Sequence, residues 1–126
     1  MILTRLAIAN FGPFREKTDF NLAPISGKPI LLFGGLNGAG KTTIFDSVKI
    51  CLYGKNFSKT TFSEVEYSDY IRSRIHKSVG QVESIKEATI LLEFEQTTLY
   101  AKDTYKITRH WNVEKNGSIS EELTVI

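Results

Sequence analysis

Residues 35–42 read Gly-Leu-Asn-Gly-Ala-Gly-Lys-Thr. Two glycines separated by four residues and followed by Lys-Thr give the spacing of the phosphate-binding loop called Walker A, which requires a strand before it and a helix after it. The preceding run Pro29, Ile30, Leu31, Leu32, Phe33 is short and apolar, as in a fully buried parallel strand. The pattern that follows predicts a helix from about Lys41 to Tyr53. Its buried face is expected to carry Ile44, Phe45, Val48, Cys51 and Leu52, and Gly54 fits its C-cap.

The residue types match the chemistry of a triphosphate. Gly35, Gly38 and Gly40 permit backbone conformations that a Cβ would obstruct, so that successive N–H groups converge on phosphate oxygens. The helix beginning at the same point adds the partial positive charge of its N-terminal end. Lys41 supplies a full charge to the β and γ phosphates, Thr42 a hydroxyl for Mg²⁺, and Thr43 a further hydroxyl donor. The candidate nucleotide-binding set is therefore Gly35, Asn37, Gly38, Ala39, Gly40, Lys41, Thr42 and Thr43, with ATP and Mg²⁺ as cofactors.

A chain of 126 residues is enough for one domain with a modest core. No apolar run approaches the length of a membrane span, and the N-terminus lacks a signal-peptide pattern. The single cysteine, Cys51, is expected in the core of a protein kept in a reducing, cytoplasmic compartment, and one Cys with two His offers no metal cluster. Charge is uneven. Residues 1–63 hold 8 Lys+Arg against 3 Asp+Glu (+5), whereas residues 64–126 hold 8 against 11 (−3). The basic half carries the phosphate loop, which suits a polyanionic ligand.

Elsewhere the chain reads largely as strands. Residues 2–9 alternate with Ile2, Leu6 and Ile8 on one side, residues 10–13 break the pattern, and residues 17–22 form a second strand with Phe20 and Leu22 inward. Residues 55–66 read as a polar loop and residues 67–77 as a helix on which Tyr70, Ile71, Arg74 and Ile75 share a face. Arg72, Arg74, His76 and Lys77 there read either as a solvated basic face or as contacts to nucleotide phosphate or DNA backbone. Residues 88–95 alternate, with Ala88, Ile90, Leu92 and Phe94 inward. Residues 99–113 do so with Leu99, Ala101, Tyr105, Ile107, Trp111 and Val113 on one side. Asn116-Gly117 signals a hairpin, after which Ile119, Leu123 and Val125 alternate. Trp111 reads as a core residue in preference to a base-stacking platform. No general base stands out, and Leu91-Leu92-Glu93 approximates a Walker B strand in the wrong surroundings.

Ile8-Ala9-Asn10-Phe11, the run Asn37 to Thr42, Asp46, and Leu52-Tyr53-Gly54 together resemble the N-terminal lobe of SMC-like ATPases, among them SbcC, RecF and RecN proteins. Residues 105–109 are similar to an antiparallel strand of that lobe in the SbcC branch. Within that group residues 33–43, 51–55 and 70–76 most closely resemble the DndD family, the SMC-like ATPases of bacterial DNA phosphorothioation, which implies a role in phosphorothioation or in DNA repair. The resemblance implies an N-lobe that docks with a C-terminal lobe of the same protein after a coiled coil. Two such heads dimerise on ATP, acting on DNA, with other DNA-modification proteins as further partners and no membrane. In the SbcC branch a basic residue follows the Asn-Phe pair and contacts the nucleotide. Gly12 stands there in this chain, and Arg15 is the nearest arginine.

The expected fold is α/β: a P-loop NTPase lobe of the ABC-type head with an antiparallel β subdomain, residues 1–126 forming a single domain. Arg15, Arg72 and Arg74 are the candidates for extra phosphate or DNA contacts. The isolated chain, without Walker B and signature motifs, is expected to be inactive as an ATPase and to expose an apolar surface where a second lobe docks. A stand-alone nucleotide-binding switch and a small P-loop kinase are the alternative classes.

Overall fold

The computed structural model describes residues 1–23, 41–58, 62–75 and 86–126. The expected strand at 29–33, loop residues 35–40, His76 and Lys77 lie outside the described residues. The elements in order are β1 (Ile2–Phe11), β2 (Phe14–Asn21), α1 (Lys41–Tyr53), a 3-10 turn (Gly54–Asn56), α2 (Glu64–Arg74), β3 (Glu87–Thr97), β4 (Lys102–Val113) and β5 (Ile119–Val125).

The five strands among the described residues form one antiparallel sheet in the order β2-β1-β3-β4-β5. The antiparallel part is thus no appendage that begins after the helices. β1 lies at its heart and pairs with β3 across the intervening helices, Leu6 opposite Leu92 and Ile8 opposite Ile90. Period-two alternation turns Leu6, Ile8, Ala88, Ile90, Leu92 and Trp111 to the buried face. Strict alternation would place Asn10 there next. Instead the β1–β2 register slips between Ala9 and Phe11, with Asn10 at φ 58°, and Phe11 is buried in its place. The expected break at residues 10–13 is therefore a bulge followed by a turn at Gly12-Pro13.

α1 has the bounds expected of it, and Gly54 follows in the left-handed conformation at φ 59° that suits a C-cap position. Its buried stripe differs from expectation. Thr43, Ile44, Ser47, Ile50 and Cys51 are buried, whereas Phe45 is 60% exposed and Val48 and Leu52 are half-buried. The sheet sets this rotation. Cys51 Sγ lies 3.8 Å from the Ile90 carbonyl and 3.7 Å from that of Ile107, which brings the Cys51 side of the helix down on β3 and β4.

α2 begins three residues before the expected helix. Ser63 caps it by accepting from the Glu66 amide at 3.2 Å, and Glu64 and Glu66 in the first turn complement the helix dipole. Leu99 and Ala101 do not belong to β4. They sit in the β3–β4 turn, where Thr98 Oγ1 accepts from the Ala101 amide at 3.1 Å and Leu99 is 95% exposed. The second hairpin lies where expected, with Gly117 at φ 84° and Asn116 Oδ1 accepting from the Ser118 amide at 3.0 Å.

Trp111 is a core residue. It is fully buried and stacks on Phe11 with centroids 5.8 Å apart. Its Nε1 donates to Glu121 Oε1 at 3.0 Å, and the Tyr67 hydroxyl donates to the same oxygen at 2.7 Å. Arg109 Nη1 on β4 donates to it as well at 3.3 Å, so one carboxylate on β5 serves two donors from β4 and one from α2 and ties the outer strand to the helix layer. Burial, followed by the bond to Glu121, pushes the Tyr67 phenol well above its usual range.

Burial also pushes the Cys51 thiol up to about 12, opposed by the nearby Arg109 guanidinium. The folded chain should therefore resist a thiol-specific disulfide reagent at about pH 8, and denaturant should expose the single thiol to full reaction. Rapid stoichiometric labelling of the folded protein would contradict the docking of α1.

Candidate functional site

Lys41 opens α1, and its side chain is partly exposed and makes no ion pair with the described residues. Thr42 is exposed beside it, whereas Thr43 is only 4% exposed. The first turn of α1 contains no acidic residue, so its partial positive charge meets no competing carboxylate there. One cation, an accessible hydroxyl and a buried one at a helix N-terminus whose first turn carries no acidic residue fit a phosphate group and the Mg²⁺ that accompanies it. The loop residues Gly35, Asn37, Gly38, Ala39 and Gly40 lie outside the described residues.

A second cation reaches this end of α1 from elsewhere in the chain. Arg74, in the last turn of α2, donates from Nη2 to Thr43 Oγ1. Its guanidinium carbon lies 5.7 Å from the centroid of the Phe11 ring, within cation–π range. Its backbone carbonyl accepts from the Gly12 amide, and the next residue, Ile75, bridges to Phe11. Gly12 has φ 58°, and a Cβ there would lie 2.7 Å from Thr43 Cγ2 and 2.9 Å from Arg74 Nη2. Glycine is thus required twice over at this position, for its backbone angle and for the space that Arg74 and Thr43 occupy.

The three arginines picked out from the sequence part company here. Arg74 meets Thr43. Arg72 is held away from that contact, pairing with Asp69 at 2.7 Å and donating to the Gly117 carbonyl at 2.6 Å, which fastens α2 to the β4–β5 turn. Arg15 lies exposed on β2, and no described contact links it to α1. The basic stretch is thus no uniform solvated face: Arg74 turns in and Arg72 braces the fold. The arginine that reaches α1 lies 62 residues along the chain from Gly12, as their numbers give, so local sequence patterns offer no means of pairing them.

Tyr70, one helical turn before Arg74, shares its face by spacing, but nothing in the sequence marks it as part of a site. Its ring packs against both Phe57, at 5.0 Å, and Phe62, at 5.8 Å, which also stack on each other at 5.7 Å. Its buried hydroxyl lies beside Arg74 without forming a hydrogen bond of acceptable geometry. Burial raises its pKa, Asp46 adds to the rise, and Arg74 opposes it. Glu93 takes no part in the site. It accepts from Arg5 at 3.2 Å, and Arg5 also pairs with Asp19 at 2.6 Å. Among the described residues no group of His, Cys, Asp and Glu is arranged to hold a metal ion, and no helix is long and apolar enough to cross a membrane.

Gly12→Ala should destabilise the chain more than Gly117→Ala. Both place a Cβ at positive φ, at a cost of about 1–2 kcal/mol. A Cβ at Gly117 meets nothing within 4 Å, whereas one at Gly12 must displace Thr43 or Arg74, adding about 1–3 kcal/mol of overpacking. Equal losses of thermal midpoint in the two variants would contradict the close packing at Gly12.

SbcC of the SbcCD nuclease from Vibrio cholerae is 29% identical over 120 residues, covering 95% of this chain and 10% of that protein. SbcC from Staphylococcus saprophyticus is 32% identical over 120 residues, covering 94% of this chain and 10% of that protein. The DNA double-strand break repair Rad50 ATPase of Nanoarchaeum equitans is 27% identical over 121 residues, covering 96% of this chain and 12% of that protein. The chain therefore spans about a tenth of the length of these curated relatives. The model of the AAA domain family matches residues 5–125, nearly the whole sequence, and the chain belongs to that family.

Proposed function

We propose that the chain is the ATP-binding N-lobe of an SMC-like ATPase of the SbcC and Rad50 type, acting on DNA in repair. The observation that carries this reading is the coincidence of the family match over residues 5–125 with Lys41, Thr42 and Thr43 opening a helix whose first turn lacks acidic residues. Lys41 would hold the β and γ phosphates, Thr42 the Mg²⁺, and Thr43 a phosphate oxygen. The Thr42 hydroxyl would help hold Mg²⁺, which would supply charge neutralisation to the phosphates. The protein's own part is to bind and orient the triphosphate.

Hydrolysis needs further groups. A water must be oriented by a base, and the far side of the phosphates must be clamped. In this reading both come from a C-terminal lobe and a second head brought together on ATP. The relatives' names add DNA repair and a nuclease as expected surroundings. The likeness to phosphorothioation ATPases rests on residues 33–43, 51–55 and 70–76, much of it outside the described residues. The named relatives favour repair over that pathway.

Calorimetry with Mg·ATP tests the binding role. Lys41→Ala should weaken binding at least about tenfold, since a hydrogen bond to a charged group contributes about 1.5–3 kcal/mol. Unchanged affinity would refute the phosphate site. Phosphate release by the chain alone should not exceed that of the Lys41→Ala variant, and turnover clearly above that control would show that the chain carries its own catalytic base.

A further inference from the structure

We propose that Arg74 is a positioning residue of the phosphate site, acting through Thr43. A threonine hydroxyl has one proton to donate and two lone pairs to accept with, whereas a guanidinium can only donate. When Arg74 Nη2 donates to Thr43 Oγ1, the hydroxyl proton must point away from Arg74. Side chains on a helix lean toward its N-terminus, and Thr43 lies in the first turn of α1, so that proton is available to an anion seated at this end. Thr43 would otherwise have rotational freedom and other acceptors. The arginine converts it into a fixed donor.

Three further features show that Arg74 is held for this contact. Its carbonyl is fixed by the Gly12 amide, its guanidinium lies over the Phe11 ring, and a Cβ at Gly12 would displace Nη2. Its Nε is buried without a hydrogen-bond partner among the described residues. A buried orphan N–H is costly and calls for an explanation. Here the orientation that strands Nε is the one that delivers Nη2 to Thr43. Sequence distance hides the device, since the two residues stand 31 positions apart.

This inference rests on the phosphate-binding reading above, and its test separates the two. Mg·ATP affinity is measured by calorimetry for the chain and for Lys41→Ala, Arg74→Met, Thr43→Val and the Arg74→Met/Thr43→Val double variant. Thermal midpoints check that each variant folds. Methionine keeps an apolar stem over Phe11 but donates nothing, and Arg74→Lys, which retains one charged donor, serves as the partial rescue. Arg74→Met should weaken binding about tenfold, the usual effect of losing a charge-assisted hydrogen bond. Arg74→Lys should recover part of that loss. In the Thr43→Val background Arg74→Met should change affinity less than about twofold, because no hydroxyl remains to orient. An equal loss in both backgrounds would overturn the proposal by showing that Arg74 meets the ligand directly. No loss in either, with Lys41→Ala still weakening binding, would overturn it while leaving the phosphate site intact. An unaltered chain that binds no Mg·ATP would overturn both.

Discussion

The close approach of three segments at Gly12 governs the part of this molecule where chemistry is expected. The β1–β2 turn, the end of α2 and the first turn of α1 meet there, and the meeting works only because residue 12 has no side chain. Its amide holds the Arg74 carbonyl, and the room it leaves admits the guanidinium to Thr43. The bulge at Asn10 brings the chain to this point by restoring Phe11 to the buried face, where it supports both Trp111 and Arg74. Local backbone irregularity at the end of β1 is therefore what places a cation at the start of α1.

The sheet supplies the rigidity behind that arrangement. β1 and β3 at its centre present Leu6, Ile8, Ile90 and Leu92 to the helix layer. α1 docks through Cys51, and the carbonyl of Cys51 accepts from Arg109 Nε at 2.8 Å. Glu121 binds β5 to Trp111 and Tyr67, and Arg72 binds the β4–β5 turn to α2. Tyr67, Trp111, Arg109 and Glu121 satisfy one another, whereas Ser47 Oγ, the Tyr70 hydroxyl and Arg74 Nε are buried without a partner among the described residues. Such a network constrains geometry more than it adds net stability, because unmade bonds there would be costly. The outer edge is different in character: Leu123, Val125 and Ile126 on and beside β5 are half or more exposed.

Much of this is legible in the sequence where one strong local rule applies. The Lys-Thr end of the phosphate-loop motif and helical spacing locate α1 to the residue, and period-two alternation locates the cores of β1, β3 and β5. Asn116-Gly117 locates the hairpin between β4 and β5 for a conformational reason. Local rules fail where tertiary contacts decide. Hydrophobicity assigns Phe45 to the core, yet the docking of Cys51 on β3 and β4 turns it outward. Ser63 and Glu66 form an N-terminal helix signal hidden in a polar stretch that reads as loop. Leu99 extends the alternation of β4, but the Thr98 turn removes it from the strand. Proximity along the chain groups Arg74 with Arg72, whereas helical geometry sends the two to different partners.

The central claim is that this chain receives a triphosphate at the N-terminal end of α1, with the Gly12 turn and the end of α2 as its built support. Titration of the isotopically labelled chain with Mg·ATP, followed by backbone and arginine side-chain resonances, tests that placement directly. The largest shifts are expected at Lys41, Thr42 and Thr43, with accompanying shifts at Gly12 and at the Arg74 guanidinium, while Gly117 and the outer residues of β5 stay unchanged. Shifts concentrated on β4 and β5, or a saturable response that leaves Thr43, Gly12 and Arg74 unmoved, would contradict it.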